Sequence, residues 1–261
     1  MVQLGIDHPH AEAYRRTLAL FPDRIEVVGF LARPEDSTTS TRELFPDVPV
    51  FRSLDELLNA TKPDAAQVML RNNEMGSALT TLANEGIHLW AEKPVARKAA
   101  DLIPVREAVA AKGLIFTSGF QSRFYPTTRY AQMLVREGLL GPLTFSHMTT
   151  TTTTAKFRNP DGPLGYIFKD EVAGGGIFHW LGCHMVDLLL AIAGEFPVAV
   201  NATTATVGEA KIEVEDIAVV ALTFASGWVA SLNYAYALPT GEPSPFGNDE
   251  PEPALYGQQG W

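Results

Sequence analysis

Hydrophobic and polar positions alternate with two different rhythms along the chain. Through residues 1–119, short apolar runs are separated by amphipathic segments, the pattern of β-α-β units around a parallel sheet. The runs at 2–6, 25–31, 65–70, 87–91 and 114–117 read as strands. Between them, a helix starting near His10 carries Ala11, Tyr14, Leu18 and Leu20. Residues 53–58 form a short helix with Ser53 as N-cap and Glu56 completing a capping box. Residues 77–84 form a helix closed by Gly86, and 99–111 another closed by Lys112-Gly113.

From residue 120 onward the rhythm changes. A helix over 126–137 ends at Gly138 and is followed by longer β-prone runs at 143–155, 198–207, 216–224 and 228–237. The consecutive threonines at 149–154 suit a pleated strand and belong to the first of these runs. Residues 159–163 read as a loop, 174–193 as a glycine-rich turn that becomes an apolar helix, and 239–260 as a loop rich in proline and glycine. Strands in succession predict a largely antiparallel open sheet. The fold class expected is therefore an α/β Rossmann domain over 1–119 and an α+β domain over 120–261.

Composition narrows the chemistry. With 261 residues and 46% apolar content the chain can build proper cores. A net charge of −10 offers no positive field for nucleic acid or an anionic membrane surface, which favours a small-molecule substrate. The one cysteine, Cys183, excludes an internal disulfide and favours a reducing compartment. No basic, apolar leader opens the sequence, and Asp187 and Gly194-Glu195 bracket the apolar run 188–193. A cytoplasmic protein without a membrane span is expected.

The residues with chemical character collect at strand exits. Glu92-Lys93-Pro94 follows the apolar run 87–91, placing an amine at the carboxyl edge of a parallel sheet, where open α/β folds bind ligands. A dinucleotide would need a glycine turn after the first strand. Gly5-Ile6-Asp7-His8-Pro9-His10 supplies one glycine, with Asp7 adding negative charge and Pro9 lacking an N–H. The second strand ends Leu31-Ala32-Arg33, and a small residue followed by arginine leans towards NADP over NAD. Further along, Gly174-Gly175-Gly176 precedes His179, Cys183, His184 and Asp187. Its glycines allow close approach to a ligand, and His184 is a candidate acid or base. A cysteine next to a histidine lacks paired ligand spacing, so no metal site is expected.

Together, Ala91-Glu92-Lys93-Pro94, Gly119-Phe120-Gln121-Ser122-Arg123-Phe124 and the 174–187 segment resemble the Gfo/Idh/MocA oxidoreductases, sugar and cyclitol dehydrogenases. Ala254-Leu255-Tyr256-Gly257-Gln258 also resembles that family's approach to a late strand. The resemblance implies NAD or NADP as cofactor and a carbohydrate-like substrate. It implies Lys93 as the lysine that touches the reacting hydroxyl and nicotinamide ribose, with Glu92 shaping its turn. His184 is the matching catalytic histidine. The family aspartate four residues earlier falls at Trp180, whose indole cannot accept a proton. His179 lies beside that place, but adjacent helical residues do not share a face.

The same resemblance puts the cofactor against Gly5, Asp7, His10, Ala32, Arg33 and Leu70. Asn72 and Asn73 stand in for an absent Thr-Pro, and Arg123, Tyr166, Lys169, Trp180 and His184 are candidate substrate contacts. Family members usually continue beyond the position of Trp261, so the chain is expected to be short at its C-terminus, with a homodimer or homotetramer formed through the second sheet. Three functions follow. The first is net hydride transfer to or from a sugar- or polyol-like hydroxyl. The second is a redox-neutral epimerase, lyase or glycosidase using the nicotinamide transiently. The third is a cofactor-binding but catalytically silent subunit.

Overall fold

The computed structural model describes residues 1–152, 161, 162, 164–207, 212–236 and 252–257. The chain divides into two compact units, Met1–Gly119 and Phe120–Trp261.

The first unit is built from β1 (Val2–Leu4), α1 (Ala11–Leu18), β2 (Gly29–Leu31), α2 (Thr39–Leu44), β3 (Val50–Phe51), α3 (Leu54–Thr61), β4 (Ala65–Val68), α4 (Asn72–Asn84), β5 (His88–Ala91), α5 (Ile103–Lys112) and β6 (Phe116–Ser118). Its six strands run in the order β3-β2-β1-β4-β5-β6, all parallel. This is the doubly wound Rossmann order, with its switch point between β1 and β4. Val2, Leu4, Ala66, Val68, Leu79, Leu82 and Leu89 are buried in its core, as the near-continuous apolar runs of a covered parallel sheet require.

Several strands are shorter than the apolar runs that announce them, β1, β2 and β4 by at least two residues. In β2 the register sets Val2 opposite Gly29, so residues 25–27 lie beyond the start of their partner. In β1 the ladder stops at Leu4 because Gly5 turns away with φ +85°, where a Cβ would sit 2.1 Å from the Met69 carbonyl oxygen. Helix α2 and the two-residue β3 were not anticipated. Ser53 does cap α3, its hydroxyl accepting the Glu56 N–H at 3.3 Å. A buried polar seam also crosses the sheet: Gln3 donates to Gln67 at 2.6 Å, and the buried Arg15 of α1 donates to Gln3 at 3.2 Å.

The second unit contains α6 (Pro126–Arg136), β7 (Leu143–Thr151), α7 (Asp170–Ala173), a π-helical turn (Phe178–Gly182), α8 (Cys183–Ala193), β8 (Pro197–Ala205), β9 (Ile217–Phe224), β10 (Val229–Ala235) and β11 (Glu252–Gly257). Its sheet has the order β11-β7-β10-β9-β8, antiparallel except for the parallel pair β7 and β10. One face is buried: Met148, Val220, Leu222, Leu232 and Tyr234 pack with Ile177, Trp180, Met185 and Leu189. On the other face Phe145, Val219 and Val229 are exposed.

The threonine run enters β7 as far as Thr151, with Thr150 buried and Thr151 exposed; Thr153 and Thr154 lie outside the described residues. Of the loop expected at 159–163, only residues 161 and 162 are described, in a turn. The loop expected over 239–260 is corrected in part, since residues 252–257 form β11. Pro253 disguises it, and proline is tolerated there because, among the described residues, β11 pairs with β7 on one side only.

The expectation that no segment reaches membrane-spanning length is also corrected. Asp170–Ala193 runs as 24 residues of near-continuous helix at a mean hydropathy of 1.5, long and apolar enough by length and composition alone. Its apolar side chains, Ile177, Met185 and Leu189 among them, are spent on the sheet.

Candidate functional site

In the first unit, β5 delivers Glu92, Lys93 and Pro94 at the carboxyl edge of the sheet. The Glu92 N–H is held by the Val68 carbonyl at 2.8 Å and the Lys93–Pro94 peptide is cis. Glu92 and Lys93 are both 3% exposed. Charges buried this deeply need partners. His10 lies with Nδ1 3.2 Å from Glu92 Oε1, and because a carboxylate only accepts, Nδ1 carries the proton. Burial alone would push the Glu92 carboxyl up, but the His10 hydrogen bond and the charge of Lys93 hold it below the usual range. Glu92 is thus an ionised neighbour for Lys93.

His8 and Tyr14 complete this cluster, and neither was singled out beforehand. His8 accepts the His10 N–H on Nδ1 at 3.1 Å. Burial pushes its pKa down to about 3, so it is a neutral imidazole protonated on Nε2. The rings step from His8 to His10 (5.2 Å), Tyr14 (6.2 Å) and Trp90 (4.9 Å) in edge-on contacts. Burial, then the Glu92 charge, pushes the Tyr14 phenol up. The only sequence signal for this group was the His8-Pro9-His10 spacing itself.

Asn72, a candidate ribose contact, sits at the start of α4. It is buried, and its amide donates to the Pro94 carbonyl at 3.2 Å, bracing the lysine turn from α4. Asn73 is exposed in the first turn of α4. Gly5, Ala32, Arg33 and Leu70 do come together, lining a cavity of about 340 Å³ at the carboxyl ends of β1 and β2 with Asp36 and Glu74. Arg33 is 17% exposed and held on both sides, donating to Asp7 at 2.9 Å and to Glu74. Asp36 accepts the Arg33 backbone N–H at 2.7 Å. The cavity's size and its apolar walls, Leu31, Leu54 and Ala78 among them, fit an adenosine moiety.

The second unit carries the other candidates. Gly176 is needed for its own backbone: a Cβ there would lie 1.9 Å from the Glu215 carbonyl oxygen, and the Glu215 carboxylate accepts the Gly176 and Phe178 N–H groups at 2.6 and 3.1 Å. The close approach expected towards a ligand is, at Gly176, an approach to Glu215. Trp180 is buried and packs in the core of this unit with Ile177, Met185 and Leu189.

His184 is partly buried, edge-on to Phe120 at 5.9 Å. His179 lies within the π-helical turn Phe178–Gly182 and His184 in the first turn of α8. Arg123 is bound bidentately to Asp187, at 2.7 and 2.6 Å. Lys169 reaches Glu213 at 2.8 Å, and Tyr166 leans on the core. Among the described residues no group of three or more His, Cys, Asp or Glu side chains could hold a metal.

Comparison with known proteins agrees with both halves of this architecture. The profile described as an oxidoreductase family with an NAD-binding Rossmann fold matches residues 5–120, and that of the GFO/IDH/MocA C-terminal domain matches 128–261. The chain belongs to the Gfo/Idh/MocA oxidoreductase family. Its relatives include the 2,7-anhydro-N-acetylneuraminate hydratase of Escherichia coli (strain K12), 26% identical over 78% of this chain and 54% of that protein. A D-xylose 1-dehydrogenase (NADP(+)) 2 of Haloferax volcanii is 24% identical over 82% of this chain and 63% of that protein. The chain thus spans about half the length of the first relatives it matches. The WlbA dehydrogenase of Bordetella pertussis, solved with NADH and UDP-GlcNAcA, shares the Gfo/Idh/MocA fold at a TM-score of 0.86. That structure is 22% identical and aligns over 98% of this chain and 76% of its own.

Proposed function

We propose that the chain is a nicotinamide-dependent oxidoreductase acting on a hydroxyl or carbonyl of a carbohydrate-like substrate. The observation that carries this reading is Lys93: a 3% exposed amine at a strand exit beside the buried, ionised Glu92. A buried lysine with a fixed counter-ion is placed to hold or yield one proton at Nζ. His10 and Asn72 position that turn, one through the Glu92 carboxylate and the other through the Pro94 carbonyl. Gly5, Ala32, Arg33 and Leu70 would hold the adenosine end of NAD or NADP, and the bound nicotinamide supplies the hydride acceptor or donor.

In the second unit His184 is the proton-handling group. His179, one residue before Trp180 in the π-helical turn, takes the part of the carboxylate that Trp180 cannot play. Arg123 and Lys169 face substrate only on exchanging their carboxylate partners, Asp187 and Glu213. The substrate class is supported by relatives named for D-xylose and for an anhydro-sugar acid. A second copy of the chain covers the open sheet face bearing Phe145, Val219 and Val229, giving a homo-oligomer.

The test is nicotinamide absorbance across a panel of sugars, polyols and anhydro-sugars, with cofactor binding followed separately by calorimetry. Lys93→Met is expected to retain NADH binding and to lose roughly 10²–10⁴-fold in kcat. Unchanged kcat in this variant overturns the role of Lys93, and binding of neither NADH nor NADPH overturns the reading altogether. The relative named as a hydratase favours a second, redox-neutral reading. Substrate conversion without net change in nicotinamide absorbance selects it.

A further inference from the structure

An arginine after the second strand of a Rossmann sheet is ordinarily read as a receptor for the 2′-phosphate of NADP. Here the surroundings of Arg33 oppose that reading. Its guanidinium already spans two carboxylates, Asp7 from the β1–α1 turn and Glu74 from the first turn of α4. Its backbone N–H binds a third, Asp36, and burial raises the carboxyl of Asp36, with the charge of Asp7 adding to it. The charged side chains lining the cavity, Arg33 and Arg52 against Asp36 and Glu74, balance one for one. Arg52 is itself turned to the Arg33 carbonyl. Among the described residues lining the cavity no surplus positive charge faces a 2′-phosphate, and two carboxylates would repel it.

Asp7 poses the complementary problem. It stands in the turn where a dinucleotide's diphosphate would meet α1, and an unpaired carboxylate there would repel that anion. Arg33 lies within 2.9 Å of it. Resting on the nicotinamide-dependent reading above, we propose that Arg33 neutralises Asp7 so that the turn accepts the diphosphate common to both cofactors, leaving a cavity that favours the free 2′-hydroxyl of NAD. Arg33 is thus a positioning and charge-compensating residue, with Glu74 holding its other edge.

The two roles separate in a binding cycle using NADH and NADPH as probes. Wild type, Arg33→Gln, Asp7→Asn and the double variant are titrated by calorimetry, and circular dichroism melts establish that each is folded. Wild type is expected to bind NADH more tightly than NADPH. Arg33→Gln should weaken both by the same factor, roughly tenfold, and the added Asp7→Asn should restore most of that loss, as a compensated charge requires. A loss confined to NADPH, or a double variant no tighter than Arg33→Gln, overturns the proposal. If Arg33→Gln does not fold, Asp7→Asn alone decides: tighter binding of both nucleotides supports the proposal and weaker binding overturns it. Wild type that binds neither nucleotide sinks the oxidoreductase reading and this inference with it; a bound nucleotide with the wrong variant pattern sinks only the latter.

Discussion

At the scale of single residues, His8 carries the clearest linkage between structure and pH. Its folded pKa of about 3 lies far below the ordinary value of 6.5, so the fold admits only the neutral ring. Above about pH 6.5 neither state binds the proton and nothing is lost. As pH falls from there towards 3, the unfolded chain takes up a proton that the fold refuses, and stability drops by up to about 1.4 kcal/mol per pH unit. The lowered carboxyl of Glu92 adds a loss of the same sign that begins only below the ordinary carboxylate value. Urea midpoints between about pH 7 and pH 4.5 should therefore fall in the wild type and fall less in His8→Asn, which keeps an acceptor for the His10 N–H. Equal slopes in the two proteins would remove His8 from this role. Lys93, Glu92 and the cavity residues Gly5, Ala32, Arg33 and Leu70 were legible because strand exits in a parallel sheet gather at one edge. His8, Tyr14, Asp36 and Glu74 were not, because their importance comes from what they face across the fold.

At the scale of elements, the glycine-to-helix segment shows where sequence pattern misleads. Three consecutive glycines read as a ligand-facing turn, yet Gly176 exists for the backbone of Glu215. Gly176→Ala should cost about 3 kcal/mol, because a backbone oxygen cannot move aside as a flexible side chain can. Glu215→Gln keeps one acceptor and should cost about 1 kcal/mol. Denaturant unfolding of both variants checks the order, and a harmless Gly176→Ala would mean that the segment is free to shift. The π-helical turn was equally invisible, since composition does not distinguish an i→i+5 turn from an α-turn. Strand lengths were overread at 25–31 for a related reason: apolar residues mark burial, whereas a ladder also needs a partner strand. Strand β11 was missed because glutamate and proline open it, and proline within a run argues against a central strand.

For the whole molecule, the alternation of short strands and helices before residue 120 and the succession of strands after it made the fold class readable. Each unit must bury its own apolar faces, and that requirement leaves its period in the sequence. The open face of the second sheet is the exception. Val219→Lys and Val229→Lys together should shift the protein to a lighter species in sedimentation without weakening NADH binding, and an unchanged species would remove that face as the contact between copies. The parallel pairing of β7 with β10 carries a consequence for how the protein is made. Phe145 meets Val229 and Thr151 meets Ala235, so β7 emerges from the ribosome long before β10, with β8 and β9 synthesised in between. Until then its only defence against wrong partners is its own composition, and threonine offers less to a passing apolar strand than valine or isoleucine of the same shape. Refolding of the second unit should accordingly be limited by a distant loop closure and run in the slow, millisecond-to-second regime, with β7 the segment most exposed to mispairing while it waits.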